Sequence, residues 1–320
     1  GQSITDDSDA PPLGRDVSFR LNAMNPVSWY REVRTINARK IDLLVIPAWT
    51  FFLAPCLGTL ALMLRRRGVR VALIVHNVAD HEQRIWKTLL SNFLLRQADV
   101  FLTHTSELGK MLHDVAPAVP VIVQGHPVYD DYPTPRLNLP KRAGLEILFF
   151  GLVRDYKGLD IALRALAASR LTDVRLTVAG EFWSSRSDFE QLISQLGISE
   201  LVELIPRYVD DYEAAELFAR CDTVIAPYRS VSGSGVLSMA TWYEKPVIVS
   251  DLPGFLEVVD SRKTGWIFKN DDPESLARLL RHEVDRRACE AMQPAIRKLK
   301  RKWTWAGLVD ALIKARVHEK

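Results

Sequence analysis

Short apolar runs rich in β-branched residues alternate along the chain with stretches of helical period. Ile41–Pro47 reads as a strand and is followed by a helix through Leu64. Val69–Val75 follows, then a helix from about Asp80 to Arg96; Asp99–Leu102, then Ser106–His113; then Val119–Val123. Continuous apolar runs alternating with helices predict parallel sheets covered on both faces. Residues 126–144 carry four prolines and no apolar period, and they predict a linker. Beyond it the alternation resumes, with strands at Glu146–Phe150, Val174–Ala179, Val202–Ile205, Thr223–Ala226 and Val247–Val249. The spacings Ser187-x-x-Glu190 and Asp210-x-x-Glu213 predict capping boxes, Gly197 a left-handed helix end and Asp272-Pro273 a helix start. The expected class is α/β, with two doubly wound domains whose ligands bind at the carboxyl ends of the strands.

Composition narrows this further. A chain of 320 residues with 48% apolar and 25% charged residues is an ordinary globular protein long enough for two domains. Three distant cysteines make neither a disulfide framework nor a zinc site, and a reducing compartment follows. The longest apolar run, Phe51–Leu64, is too short to span a bilayer and predicts a buried helix. Residues 1–143 hold 17 Lys and Arg against 13 Asp and Glu, residues 144–295 hold 17 against 24, and residues 296–320 hold 8 against 2. Basic charge therefore sits at both ends of the sequence, as on a face that meets phosphates or lipid headgroups.

Three segments carry candidate chemistry, each after a strand. Gly151-Leu152-Val153-Arg154-Asp155-Tyr156-Lys157-Gly158 sets two cations beside a helix start, a diphosphate clamp or else an ordinary charged loop. Ser232-Gly233-Ser234-Gly235-Val236 aims several amides at one point, for a phosphate or simply for a tight turn. His76-Asn77-Val78-Ala79-Asp80-His81-Glu82 offers His76 to sugar hydroxyls or proton transfer, or as a capping or core histidine. It lacks the spacing of a zinc motif. His104 and His126 have no companions in the sequence, and the acid pairs Asp130-Asp131 and Asp210-Asp211 read as structural. The absence of Gly-x-Gly-x-x-Gly argues against a nicotinamide enzyme. The basic run Arg297–Lys302, beside Trp303 and Trp305, reads as a solvated helix face or a contact to anionic lipid.

Taken in order, Asn25-Pro26-Val27-Ser28-Trp29, Pro47-Ala48-Trp49-Thr50-Phe51-Phe52-Leu53-Ala54-Pro55, HNVADHE, FFGLVRDYKGLD, VAGEFW, YVDDYEAAELFARCD and APYRSVSGSGVLSMA resemble the GT-B glycosyltransferases. The resemblance is to the retaining family 4 (glycosyl transferases group 1), in its bacterial exopolysaccharide and lipopolysaccharide branch, and it runs from about residue 22 to 310.

The resemblance implies an acceptor-side domain over residues 1–143, a nucleotide-sugar domain over 144–302 and a final helix over 303–320 that crosses back. It implies a hexosyltransferase whose donor is a UDP- or GDP-sugar, with no metal and no separate cofactor. Arg154 and Lys157 would hold the diphosphate, and the amides of Ser232, Gly233, Ser234, Gly235 and Val236 would cap it. Glu181 would lie near the nucleotide sugar and Arg207 and Tyr208 near the base. His76 would be catalytic, with His81, Glu82 and Trp49 on the acceptor side. The partners implied are a glycan or lipid-linked acceptor and an anionic membrane surface met by the basic first domain and C-terminal tail, with no nucleic acid. The place implied is the cytoplasm, peripheral to the inner face of the plasma membrane. Two departures from the family pattern stand out. Val231 and Met239 occupy the positions of its paired glutamates. The family's opening strand, glycine-rich loop and helix do not precede the match, so residues ahead of Gly1 are expected. The alternatives are a non-catalytic or truncated nucleotide-sugar-binding module, and last a nucleotide-sugar epimerase or hydrolase.

Overall fold

The computed structural model describes residues 19–76, 85–125, 127–128, 132–231 and 234–317. The chain divides into two compact units. One holds the described residues of 1–73 and 79–99, the other those of 74–78 and 100–320.

The first unit opens on α1 (Pro26–Ala38), a helix the periodicity did not reveal. Asn25 caps it by accepting from the Val27 amide, and Pro26 supplies the preset first turn. Next come β1 (Leu43–Ala48), a 3₁₀ turn at Phe51–Leu53 and α2 (Ala54–Arg65). The apolar run thus forms a helix that buries Cys56, Leu60, Ala61 and Leu64 but leaves Phe52 exposed. After β2 (Arg70–Val75) and α3 (Ile85–Leu95), Val33 of α1 packs on Leu60 and Leu64 of α2. In chain order β3 (Val100–Thr103), α4 (Ser106–Val115) and β4 (Val121–Val123) complete a four-stranded sheet ordered β1-β2-β3-β4.

The second sheet has six parallel strands. In chain order its elements are β5 (Leu145–Phe150), α5 (Leu159–Ser169), β6 (Val174–Ala179), α6 (Arg186–Gln195), β7 (Val202–Ile205), α7 (Asp211–Arg220), β8 (Thr223–Ala226), α8 (Gly235–Trp242), β9 (Val247–Ser250), α9 (Pro253–Leu256), β10 (Gly265–Phe268) and α10 (Pro273–His282). Two further helices, α11 (Arg286–Lys302) and α12 (Trp305–Val317), close the described chain. The strand order is β10-β9-β8-β5-β6-β7. Strands β5 to β7 build outward on one side, and β8 returns to the other side of β5. The order therefore reverses between β5 and β8, and a crevice opens at the carboxyl ends of those two strands. Helices α5, α10 and α11 cover one face of the sheet and α7, α8 and α9 the other, which is why the strands are apolar at nearly every position.

Local signals behave unequally. Asp210 caps α7 through the amides of Tyr212 and Glu213, and Asp272 caps α10 through that of Ser275. Gly197 ends its helix at φ +67°. Ser187 does not cap α6. Ser185 occupies that position, Ser187 lies inside the first turn, and Glu190 instead pairs with Arg186 at 2.7 Å. All three cysteines are free and buried. The basic run is not all solvated, because Arg297 pairs with Glu244 and Lys300 donates to the Trp242 carbonyl while its ammonium lies 3.9 Å from that indole's centre.

Candidate functional site

The carboxyl ends of β5 and β8 carry the two loops with candidate chemistry. Gly151 leaves β5 at φ +92°, and Gly180 leaves the neighbouring β6 at φ +144°. A Cβ on Gly180 would run into the Gly151 carbonyl, so the two strand ends are pressed together. From there Arg154 is extended, and Asp155–Lys157 form one 3₁₀ turn. Gly158 then turns back at φ +66° to start α5, so close to Pro227 of the second loop that any Cβ would strike its carbonyl oxygen.

Arg229 fixes the two loops to one another. Its amide donates to the Tyr156 carbonyl at 2.7 Å, and its guanidinium donates to the Asp155 carbonyl at 2.9 Å. The same guanidinium makes a bidentate pair with Asp160 (2.9 and 2.8 Å) and reaches Asp271 at 3.0 Å. Arg229 is therefore a staple with its charge already neutralised.

Lys157 is the opposite case. Its side chain is 8% exposed, and no described residue offers its ammonium a hydrogen bond or carboxylate. Burial, with the neighbouring Arg154 guanidinium as the second cause, lowers its pKa from 10.5 to about 8. Arg154 stacks on the Trp183 indole at 4.2 Å, and its buried Nε has no partner. A Cβ on Gly151 would lie 3.1 Å from the Lys157 Nζ and 3.8 Å from Val236, which brings the start of α8 to the same spot. No side chain among the described residues caps α8, so its leading amides and dipole face this spot. Beneath lies Tyr228, buried, its ring 5.5 Å from the Lys157 ammonium. Two cations without counter-charges among the described residues, at a helix start that no described side chain caps, make a site for a multiply charged anion.

The other sequence candidates fall around this centre or outside it. The Glu181 carbonyl accepts from the Val153 amide at 2.8 Å, and the same segment delivers Trp183 to Arg154. Arg207 is exposed and committed to Glu213 through two bonds of 2.6 and 2.7 Å, with Tyr208 exposed beside it. Ser234, Gly235 and Val236 stand at the start of α8, where Gly235 has open space around it; Ser232 and Gly233 lie outside the described residues. His76 follows β2 directly, with its ring 5.0 Å from that of His104, whose Nδ1 contacts the Gln124 carbonyl at 3.0 Å. The next residues, Thr105 and Ser106, start α4, and the Ser106 amide donates to Glu257 at 2.6 Å. His81 and Glu82 lie outside the described residues. Trp49 is 67% exposed, in the first unit. Val231 packs on Gly254, and Met239 is 6% exposed in the apolar core, so neither position serves a polar role. Among the described residues no three His, Cys, Asp or Glu side chains group as metal ligands.

Sequence reasoning passed over Trp183, Arg229 and His104. Trp183 and Arg229 stood in quoted motifs without a role, and His104 acquires its companion only through the adjacency of β2 and β3.

The description "Glycosyl transferases group 1" belongs to the family whose profile matches residues 138–299. A GDP-mannose:glycolipid 4-beta-D-mannosyltransferase of Xanthomonas campestris pv. campestris is 25% identical over 256 residues, covering 79% of this chain and 70% of the relative. Among solved structures, a glycosyltransferase from Rickettsia africae superposes with a TM-score of 0.72 at 15% identity, covering 95% of this chain and 85% of its own. Alr3699/HepE from Anabaena, solved in complex with UDP, gives 0.70 at 18% identity, covering 91% and 82%. With the two parallel sheets, these likenesses make the fold GT-B.

Proposed function

The chain belongs to the glycosyl transferases group 1 family, and from that we propose a metal-independent hexosyltransferase of family 4 that moves a sugar from a nucleotide diphosphate to a lipid-linked glycan acceptor with retention. The observation that carries this reading is the buried Lys157 beside Arg154 at the start of α8, with no carboxylate on either cation among the described residues. In the reaction the bond from the anomeric carbon to the diphosphate oxygen breaks, and a bond to an acceptor hydroxyl forms. The hydroxyl proton is lost, and the departing nucleoside diphosphate gains charge. Two fixed cations and oriented amides stabilise that charge without reorganising, which is the work a metal ion does elsewhere. Trp183 holds the Arg154 guanidinium in place, and Arg229 holds the two loops at fixed separation. His76 is assigned to the sugar and acceptor hydroxyls, with Trp49, His81 and Glu82 on the acceptor side. Glu181 is assigned to the nucleotide sugar, and Arg207 and Tyr208 to the base.

The Xanthomonas relative is named for a glycolipid acceptor, which supports a membrane-borne acceptor here and a peripheral place at the cytoplasmic face of the membrane. No described helix is long and apolar enough to cross a bilayer. Inversion is the second reading. The relative is named for a β linkage, and the glutamates of the retaining pattern are replaced here by Val231 and a core Met239. The coupling of the product's anomeric proton decides between the two.

Calorimetric titration with UDP and GDP in EDTA tests the donor site directly. Micromolar binding of one nucleotide is expected, and binding of neither would remove the site. Turnover then separates a transferase from a module that only binds.

A further inference from the structure

We propose that His104 is a positioning residue for His76: it sets a fixed ring against that imidazole, so that His76 is already oriented when the donor sugar arrives. The inference rests on the role proposed for His76 and deepens it. Every residue it uses belongs to the second unit.

His104 follows β3 directly, as His76 follows β2, and the two strands are neighbours in the four-stranded sheet. Their rings stand 5.0 Å apart, centre to centre, and are tilted by 45°. That is the spacing of an interacting ring pair. The two histidines are not equivalent. His76 is partly exposed, as a group that meets substrate must be, whereas His104 is 7% exposed. The His104 Nδ1 lies 3.0 Å from the Gln124 carbonyl. A carbonyl only accepts, so Nδ1 carries the hydrogen, and the ring is held in one orientation. An apolar residue would fill the same space with no polar atom to satisfy. What histidine adds is a ring locked in place by β4.

The backbone under His104 is held on both sides. Before it, the Gln124 amide donates to the Thr103 carbonyl at 2.9 Å. After it, Thr105 caps α4 through the Leu108 amide, and the Ser106 amide donates to the Glu257 carboxylate at 2.6 Å. Glu257 stands at the end of α9. Gly254 of the same helix packs so closely that a Cβ there would lie 3.2 Å from a Val231 methyl and 3.7 Å from a Thr105 methyl. Val231 leads into the glycine loop of the donor site. The segment that carries His104 is therefore fixed between β4 and the helix that backs the donor loop. A displacement of about 1 Å in a reacting group can lower a rate up to about a hundredfold, so such a support has a measurable purpose.

The test is a set of substitutions in the full chain, read by turnover and by NMR. Turnover is followed as nucleoside diphosphate released from GDP-mannose or UDP-glucose, with water in place of the acceptor. His104→Ala is expected to lower kcat about tenfold to a hundredfold and to leave KM for the donor near that of the wild type. Two further variants separate positioning from a purely structural role. His104→Phe keeps a ring beside His76 but gives up the bond to Gln124, and it should recover most of the lost turnover. His104→Asn keeps a donor for the Gln124 carbonyl but has no ring, and it should not. A structural role predicts the reverse order. With His76→Ala already in place, adding His104→Ala should lower turnover no further. In histidine-labelled protein without substrate, the imidazole signals of His76 should shift in His104→Ala and His104→Asn. The proposal is overturned if His104→Asn restores turnover and His104→Phe does not, or if the two losses multiply in the double variant. It is equally overturned if the His76 signals are the same in the wild type and His104→Ala. Full turnover in His76→Ala overturns the role of His76 and this inference with it. A loss in His76→Ala with none in the His104 variants overturns this inference alone.

Discussion

Lys157 should cost the empty protein stability, and its removal should show both the cost and its purpose. Holding a lysine pKa at about 8 in place of 10.5 corresponds to about 3 kcal/mol set against the charged form. Between those two values the unfolded chain keeps a proton that the folded chain has shed. Stability therefore rises with pH across that window and is lowest below it. Lys157→Met keeps the length of the side chain and removes the charge. At pH 7 the empty variant should unfold at higher denaturant, by up to about 3 kcal/mol in stability. Its affinity for the nucleotide should fall about tenfold to a hundredfold, since a charge-assisted bond to phosphate is lost. The wild type should itself lose about tenfold in affinity between about pH 7 and about pH 9, as Lys157 deprotonates, while the phosphates are already ionised. The variant should show no such slope. Calorimetry across that range, with urea unfolding of both proteins without ligand, checks each step. A wild-type affinity flat in pH, or a variant no more stable than the wild type, would refute the idea that this ammonium is held uncompensated for an anion.

The remaining expectations concern how the site is held. Gly180→Ala puts a Cβ into the Gly151 carbonyl at a φ that alanine resists, and a loss of about 1–3 kcal/mol with weakened nucleotide binding is expected in thermal unfolding and titration. Trp183→Ala frees Arg154 and should weaken nucleotide binding several-fold while stability holds; unchanged affinity would reduce the stacking to a surface contact. Arg229→Gln cuts the staple between the loops and should cost about 1–2 kcal/mol together with affinity, whereas a loss of stability alone would show that the loops keep their spacing without it. His76→Ala should lower transfer at saturating donor and leave nucleotide affinity near that of the wild type, to be read from initial rates beside calorimetry.

Five of the six strands of the second sheet were legible almost to the residue because both of its faces are covered. Most of their positions are apolar, and Gly180, which follows β6, is demanded by backbone approach. Where one face is exposed or the element is short, the signal fades. The α1 helix presents mostly exposed residues, so its apolar period is weak, and the Asn25-Pro26 start that caps it went unread. The edge strand β10 has four residues and no flanking period. Ser187 shows how a local pattern loses to its neighbour, since the salt bridge from Arg186 claims the glutamate that a capping box would need.

The site divides along the same line, between groups a loop carries and groups the fold assigns. Arg154 and Lys157 could be named from the sequence because they lie in one loop after one strand. What each cation does could not be read there. Arg229 sits in an equally basic loop, yet Asp160 and Asp271, 69 and 42 residues away, neutralise it. Lys157 meets no acid at all among the described residues. Three cations of similar appearance in sequence thus become one staple and two open charges, and the difference lies in which acids the topology brings to β5 and β8. A composition count would treat the three alike. Only the unneutralised pair, placed at the reversal of strand order and beside an uncapped helix, creates a field that an incoming diphosphate can lower. Arg229 belongs to the rigidity of that site and Lys157 to its affinity, and this predicts that Lys157→Met and Arg229→Gln shift stability in opposite directions.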